Sequence, residues 1–155
     1  GRVENRPGPR RRQHAGVQAV GTHAAVDPRA GASAGSGLAG QGNIDTVHHA
    51  EATLARWASL NYPADYLAQC TLVTTFEPCA MCAGTIYWAG IGRVLYGAEE
   101  TALLALTGDH PENPTLSLPC REVFARGQRA VQVIGPVPGL HEEMLEPHRS
   151  FWQRR

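Results

Sequence analysis

The sequence predicts an α/β fold in a single domain over residues 37–155, preceded by a segment, 1–36, that does not belong to its core. Three observations carry this. Stretches rich in β-branched and aromatic residues alternate with stretches of helical periodicity, the pattern of a sheet with parallel crossovers. A chain of 155 residues with 43% hydrophobic content can build one core. Residues 1–36 contain no Leu, Ile, Met, Phe, Tyr or Trp and only four valines. Such a segment cannot bury enough surface to offset the entropy of ordering it, so it is predicted to be a disordered Arg/Gly/Ala tail or a non-native stretch.

The elements follow in order. Ala50, Leu54 and Trp57 at helical spacing predict a helix from about Val47 to Leu60, capped by Asp45 or Thr46 and ended by Asn61-Tyr62-Pro63. Cys70 to Phe76 reads as a buried strand. Pro78 suits the first turn of a second helix, which runs to Ala89 and closes at Gly90. Arg93 to Gly97 is the next strand, 101–107 a helix and 108–119 a loop. A helical turn over Glu122 to Ala125, a strand from Val131 to Ile134 and a closing helix from Leu140 to Trp152 complete the chain. No internal repeat is present.

Charge narrows the partners. The chain has 14 basic and 14 acidic residues, and every basic residue is arginine. Residues 1–36 hold six arginines against Glu4 and Asp27, a balance of +4, so 37–155 carry −4. A negative domain lacks the basic stripe that dominates nucleic-acid affinity, so nucleic acid is not an expected partner. No apolar run approaches a membrane span, and no signal-like apolar stretch opens the chain, so a cytoplasmic location is expected.

The chemistry lies in two short motifs. His49-Ala50-Glu51 is weak by itself, since a lone histidine near a helix start is usually a cap or a surface residue. Cys79-Ala80-Met81-Cys82 is stronger yet ambiguous between redox dithiol and structural zinc. Together they say more. Cys79 and Cys82 share the first turn of a helix, whose N-terminus favours thiolates. His49 adds a third ligand. Three protein ligands leave tetrahedral zinc one open position, which marks a catalytic site. Cys70 and Cys120 have no paired spacing that would supply a fourth ligand. Glu51 stands two residues from the ligand, within reach of water at the metal. His-x-Glu followed after about thirty residues by Pro-Cys-x-x-Cys is the general signature of zinc-dependent base deaminases.

Thr71 to Gly97, TLVTTFEPCAMCAGTIYWAGIGRVLYG, resembles the core of the cytidine deaminase superfamily. It is similar to the branch of guanine deaminases, tRNA adenosine deaminases and fungal cytosine deaminases. Ile86-Tyr87-Trp88-Ala89 is most like the bacterial guanine deaminases. The resemblance covers about 38–155 and fails over 1–36. It implies a three-layer α/β/α fold with a mixed central sheet, with the first helix and strands missing or degraded in 1–36 and one sheet edge left exposed. It also implies a homodimer, and hydrolytic deamination in which zinc-activated hydroxide attacks the carbon bearing the amino group, Glu51 shuttles protons and ammonia leaves.

For substrate, the expectation is a free nucleobase or nucleoside, guanine-type purines first. Cytosine-type pyrimidines, adenosine in tRNA, and an inactive zinc-binding remnant are the alternatives. Asn43 matches a family position that hydrogen-bonds the base, though Gly-Asn is also an ordinary turn. Trp88, with Tyr87, could line a pocket, against the more common reading of helical aromatics as core. Asp109, His110 and Glu112 are polar candidates in a loop that could equally be solvated. Phe151 and Trp152 stand where guanine deaminases carry C-terminal aromatics that cap the pocket, with simple packing as the other reading.

Overall fold

A computed structural model describes residues 24–27, 47–108, 110 and 113–152. The elements are β1 (Ala24–Asp27), α1 (Ala50–Asn61), α2 (Ala64–Leu67), β2 (Thr71–Phe76), α3 (Ala80–Ala89), β3 (Arg93–Ala98), α4 (Glu100–Thr107), α5 (Cys120–Ala125), β4 (Gln132–Ile134) and α6 (His141–Trp152). The strands lie in the order β1-β2-β3-β4. β1 pairs antiparallel with β2, while β2, β3 and β4 run parallel, which makes the mixed sheet that the resemblance implies.

β1 is a correction. The sequence predicts no strand within 1–36, yet Ala24–Asp27 pairs with Thr71–Thr74. Ladder hydrogen bonds come from the backbone, so a run of small residues can form them without a large side chain to bury. The free edge expected on β2 is therefore covered at this position. The rest of 1–36, with Asn43 and the predicted caps Asp45 and Thr46, lies outside the described residues.

The helix ends also shift. α1 starts at Ala50, three residues after the predicted Val47, because His49 is extended at φ −59°, ψ 146° and occupies the N-cap position. Cys79 holds the same place before α3, with φ −62° and ψ 170°. Gly90 ends α3 in the left-handed region at φ 83°, which a residue without Cβ adopts at no steric cost. α2, a single turn, has no counterpart in the sequence-based elements.

Strand alternation positions the core. Leu72, Thr74 and Phe76 share one face of β2, and Val94, Tyr96 and Ala98 share one face of β3; all are buried. Leu54, Ala55 and Ala58 of α1, Ala83 and Ile86 of α3, and Cys120 and Phe124 of α5 join Leu72, Val94 and Tyr96 in one cluster. A smaller cluster brings Leu145 of α6 to Phe76 and Ala98, with Ala102 and Leu103 of α4 against it. α6 also packs on β3 at Gly97, where a Cβ would stand 2.9 Å from the Met144 side chain.

β2 and β3 end side by side. Phe76 pairs with Ala98, and the Glu77 N–H donates to the Ala98 carbonyl at 2.8 Å. α3 and α4 both start from this carboxyl end, the place where open α/β sheets bind their ligands.

Candidate metal and catalytic centre

Two N-cap residues and one helix residue make the centre. His49 precedes α1, Cys79 precedes α3 and Cys82 lies in the first turn of α3. Extended backbone at His49 and Cys79 turns both side chains back across the helix starts. His49 Nδ1 lies 3.5 Å from Cys79 Sγ and 3.5 Å from Cys82 Sγ. All three donor atoms fall within 4.8 Å of one another, with Cys82 buried and His49 the most exposed. A tetrahedral zinc with the usual Zn–N and Zn–S lengths would hold nitrogen and sulfur about 3.6 Å apart. The donor set therefore fits zinc by both distance and chemistry. Zinc is its metal, and His49, Cys79 and Cys82 are the residues that would hold it. Three ligands would leave a tetrahedral zinc one further position.

The sulfurs are electrostatically unequal. A hydrogen bond from Cys82, then His49 beside it, lowers the Cys79 thiol to about 4. Donating to Cys79, then burial and the nearby Glu51, pushes the Cys82 thiol far up. The bond to Cys79 raises His49 above its ordinary value, against the opposing effect of burial. Two thiols and one imidazole thus share protons that a metal would displace.

Glu51 is buried, 6% exposed, and its carboxyl group is pinned from two sides. Thr74 Oγ1 donates to Oε1 at 2.5 Å, and Cys82 Sγ lies 3.7 Å from Oε2. The first contact arises because Thr74 projects from the β2 face that α1 covers. The carboxyl group consequently abuts the donor cluster without belonging to it.

The structure adds three residues that sequence reasoning missed. Thr74 orients Glu51. Glu77, also buried, accepts the backbone N–H of Cys120 at 2.9 Å. Glu100, the first residue of α4, is pushed up to about 7 by burial and then by Cys79 and Glu77 nearby. Strand alternation could have flagged Thr74 as an inward polar residue. Glu77 and Glu100 carried no spacing signal, since their partners lie far along the chain.

Asn43, Asp109 and Glu112 lie outside the described residues. Trp88 is 79% exposed on α3, its ring set edge-on to Tyr87. Tyr87 is a strut: its hydroxyl accepts the backbone N–H groups of Gln128 at 2.9 Å and Arg129 at 3.4 Å. Trp152 meets His110 with ring centroids 4.9 Å apart, joining the end of α6 to the loop after α4. Its Nε1 is buried with no hydrogen-bond partner among the described residues.

The family described as the cytidine and deoxycytidylate deaminase zinc-binding region matches residues 11–98. The match starts well inside 1–36, so the resemblance does not fail over that whole segment as the sequence reading has it. A probable cytosine deaminase of Schizosaccharomyces pombe is 38% identical over 86 residues, 56% of this chain and 52% of that protein. The guanine deaminase of Bacillus subtilis is 46% identical over 66 residues, 40% of this chain and 42% of that protein. The chain thus spans about half the length, or less, of these curated relatives. A solved structure of an NE0047 mutant in complex with 8-azaguanine shares the fold, at TM-score 0.50 and 23% identity, over 71% of this chain and 59% of that one.

Proposed function

The chain belongs to the cytidine and deoxycytidylate deaminase zinc-binding family, and from that premise we propose that it removes the amino group of a nucleobase or nucleoside by hydrolysis, a guanine-type purine before others. One observation carries the reading: a buried carboxyl group, Glu51, fixed between Thr74 and Cys82 beside a cluster that has three metal donors among the described residues. A structural zinc site would be closed by a fourth ligand and would need no such neighbour.

Bound at the cluster, zinc would supply Lewis acidity and bring the pKa of water toward neutrality. The chain's own part is proton traffic. Glu51 takes a proton from the attacking water and gives it to a ring nitrogen of the base. Water oxygen bonds to the carbon that carries the amino group. Glu51 then takes the proton of the newly added hydroxyl and passes it to the amino nitrogen, so that the C–N bond breaks, ammonia leaves and a carbonyl remains. Burial keeps this carboxyl group out of bulk water, and the Thr74 hydroxyl limits its rotation.

The guanine preference rests on the higher identity with the Bacillus subtilis enzyme and on Ile86-Tyr87-Trp88-Ala89. A cytosine-type substrate is the second reading, favoured by the longer match, 86 residues, to the Schizosaccharomyces pombe protein. The negative charge of 37–155 argues against tRNA. Asn43, Asp109 and Trp152 are the residues proposed to touch the base. Trp88 and Met81, exposed one heptad apart on α3, suit a homodimer contact better than a pocket. Four free cysteines suit the cytoplasm, and among the described residues no helix is long and apolar enough to cross a membrane.

The experiment is zinc content together with ammonia release from guanine, cytosine, adenine, their nucleosides and tRNA. Guanine is expected to be the best substrate, and Glu51→Ala to retain zinc while losing activity. Release of no ammonia from any of them, or full activity in Glu51→Ala, would sink the proposal.

A further inference from the structure

Glu77 is as deeply buried as Glu51, at 6% exposed, yet the proton transfers make no use of it. It stands directly before Pro78-Cys79, the turn that delivers one metal ligand. Its backbone is held on one side, the N–H donating to the Ala98 carbonyl of β3 at 2.8 Å. Its side chain is held on the other, Oε1 accepting the backbone N–H of Cys120 at 2.9 Å across 43 positions of sequence. The Cys120 thiol, beside the same carboxyl group, is pushed up to about 12, by burial first and then by Glu77.

A buried carboxyl group is costly unless its oxygens find donors. Here the backbone N–H of Cys120 supplies one. Cys120 is the first residue of α5, and Phe124 of the same helix enters the main core cluster. The turn carrying Cys79 is therefore braced between β3 and a helix start that is itself anchored. Outer groups of this kind commonly set the orientation of metal ligands they do not touch.

We propose that Glu77 is a positioning residue for the metal centre: it fixes the Cys79 turn by tying it to the first residue of α5. The inference rests on the cluster being a metal site, and its role is distinct from the catalytic one assigned to Glu51.

Zinc affinity, by competition with a chelator, and the thiolate-to-metal bands of the cobalt-substituted protein test it without recourse to activity. Glu77→Asp withdraws the carboxyl group by one methylene from Cys120, and is expected to weaken zinc binding about 10–100-fold and shift the cobalt bands. Glu77→Gln keeps both reach and an accepting oxygen, and should stay close to the unaltered protein. Cys120→Pro approaches from the other end, deleting the donor N–H at a first-turn position that accepts proline; it should weaken zinc as Glu77→Asp does, and the two together should not add. Phe124→Leu loosens α5 by another route, and should lower the Tm with little change in zinc affinity. Unchanged affinity in both Glu77→Asp and Cys120→Pro would overturn the proposal. So would a loss in Phe124→Leu as deep as in Glu77→Asp. If no base yields ammonia but zinc affinity follows this pattern, the proposed reaction falls and the role of Glu77 stands. A protein that takes up no zinc removes both.

Discussion

Thr74 Oγ1 donates to Glu51 Oε1 at 2.5 Å, joining the middle of β2 to the first turn of α1. Both residues are buried, and the bond leaves Oε2 as the oxygen facing Cys82. The sheet therefore holds the carboxyl group in register with the sulfurs from below, while His49 stands on the solvent side.

Replacing Thr74 should accordingly act on catalysis more than on metal. Thr74→Val keeps shape but removes the hydroxyl, leaving Oε1 without its donor, at a cost of about 1–3 kcal/mol. With the carboxyl group free to turn, kcat should fall about tenfold, equivalent to roughly 1.4 kcal/mol at the transition state. Zinc content should remain that of the unaltered protein, and Thr74→Ser should restore most of the rate. Steady-state kinetics with metal analysis measure all three. An unaltered kcat in Thr74→Val would show that this bond does not orient Glu51.

Zinc uptake should release protons, in a direction the shifts determine. Cys79 is lowered to about 4 by its bond from Cys82 and is already a thiolate at neutral pH. Cys82 is raised by its bond to Cys79 and by burial, so it retains its proton and must lose it to bind metal. His49, raised above 6.5, adds a fraction that grows as pH falls. Affinity should thus rise with pH, by about tenfold per unit while one proton is displaced, and more steeply toward acid as His49 joins. Chelator competition between pH 6 and 8, with an indicator reading the released protons, tests this. A flat profile would mean that Cys82 is not a ligand.

The ligands were legible in the sequence because their chemistry is local: Cys79-x-x-Cys82 occupies one helix start, and His49-x-Glu51 another. What brings the halves together is tertiary. Thr74 and Glu51 are 23 residues apart, Glu77 and Cys120 are 43, and no periodicity relates them. Strands β2, β3 and β4 announced themselves through β-branched residues. β1 did not, because Ala-Ala-Val-Asp carries little apolar bulk and its pairing is a backbone matter. The later starts of α1 and α3 have a functional origin: the ligands His49 and Cys79 take extended N-cap geometry where sequence periodicity would continue the helix.

Packing at the other end of the sheet, where β3 begins, leaves no room at Gly92. A Cβ there would lie 1.9 Å from the carbonyl oxygen of Ala68, a backbone atom that cannot swing aside. The same glycine donates its N–H to Leu67 O at 3.1 Å, and its carbonyl accepts Gln132 N–H at 3.0 Å, so it sits where α2, β3 and β4 meet. Gly92→Ala should therefore destabilise by about 1–3 kcal/mol or more, visible as a lower denaturation midpoint. Gly84→Ala is the control, since a Cβ there meets nothing within 4 Å and replaces glycine inside a helix. It should be neutral or slightly stabilising. Equal midpoints for the two variants would contradict this account of the α2–β3 junction.

The Trp152 indole is only half satisfied by its surroundings. The ring packs against His110 and Phe151, yet Nε1 is buried with no acceptor among the described residues. An unsatisfied buried donor costs about 1–3 kcal/mol, so a packing role alone would be served better by phenylalanine. An acceptor brought by substrate, such as a base carbonyl or ring nitrogen, would repay that cost. Trp152→Phe should then raise KM several-fold with kcat nearly unchanged, the mark of lost ground-state binding, and should not lower the Tm. Were Nε1 idle in the substrate complex, KM would stay level while the Tm held or rose. Measuring KM, kcat and Tm on one preparation separates a residue that receives the base from one that only fills the space beside His110.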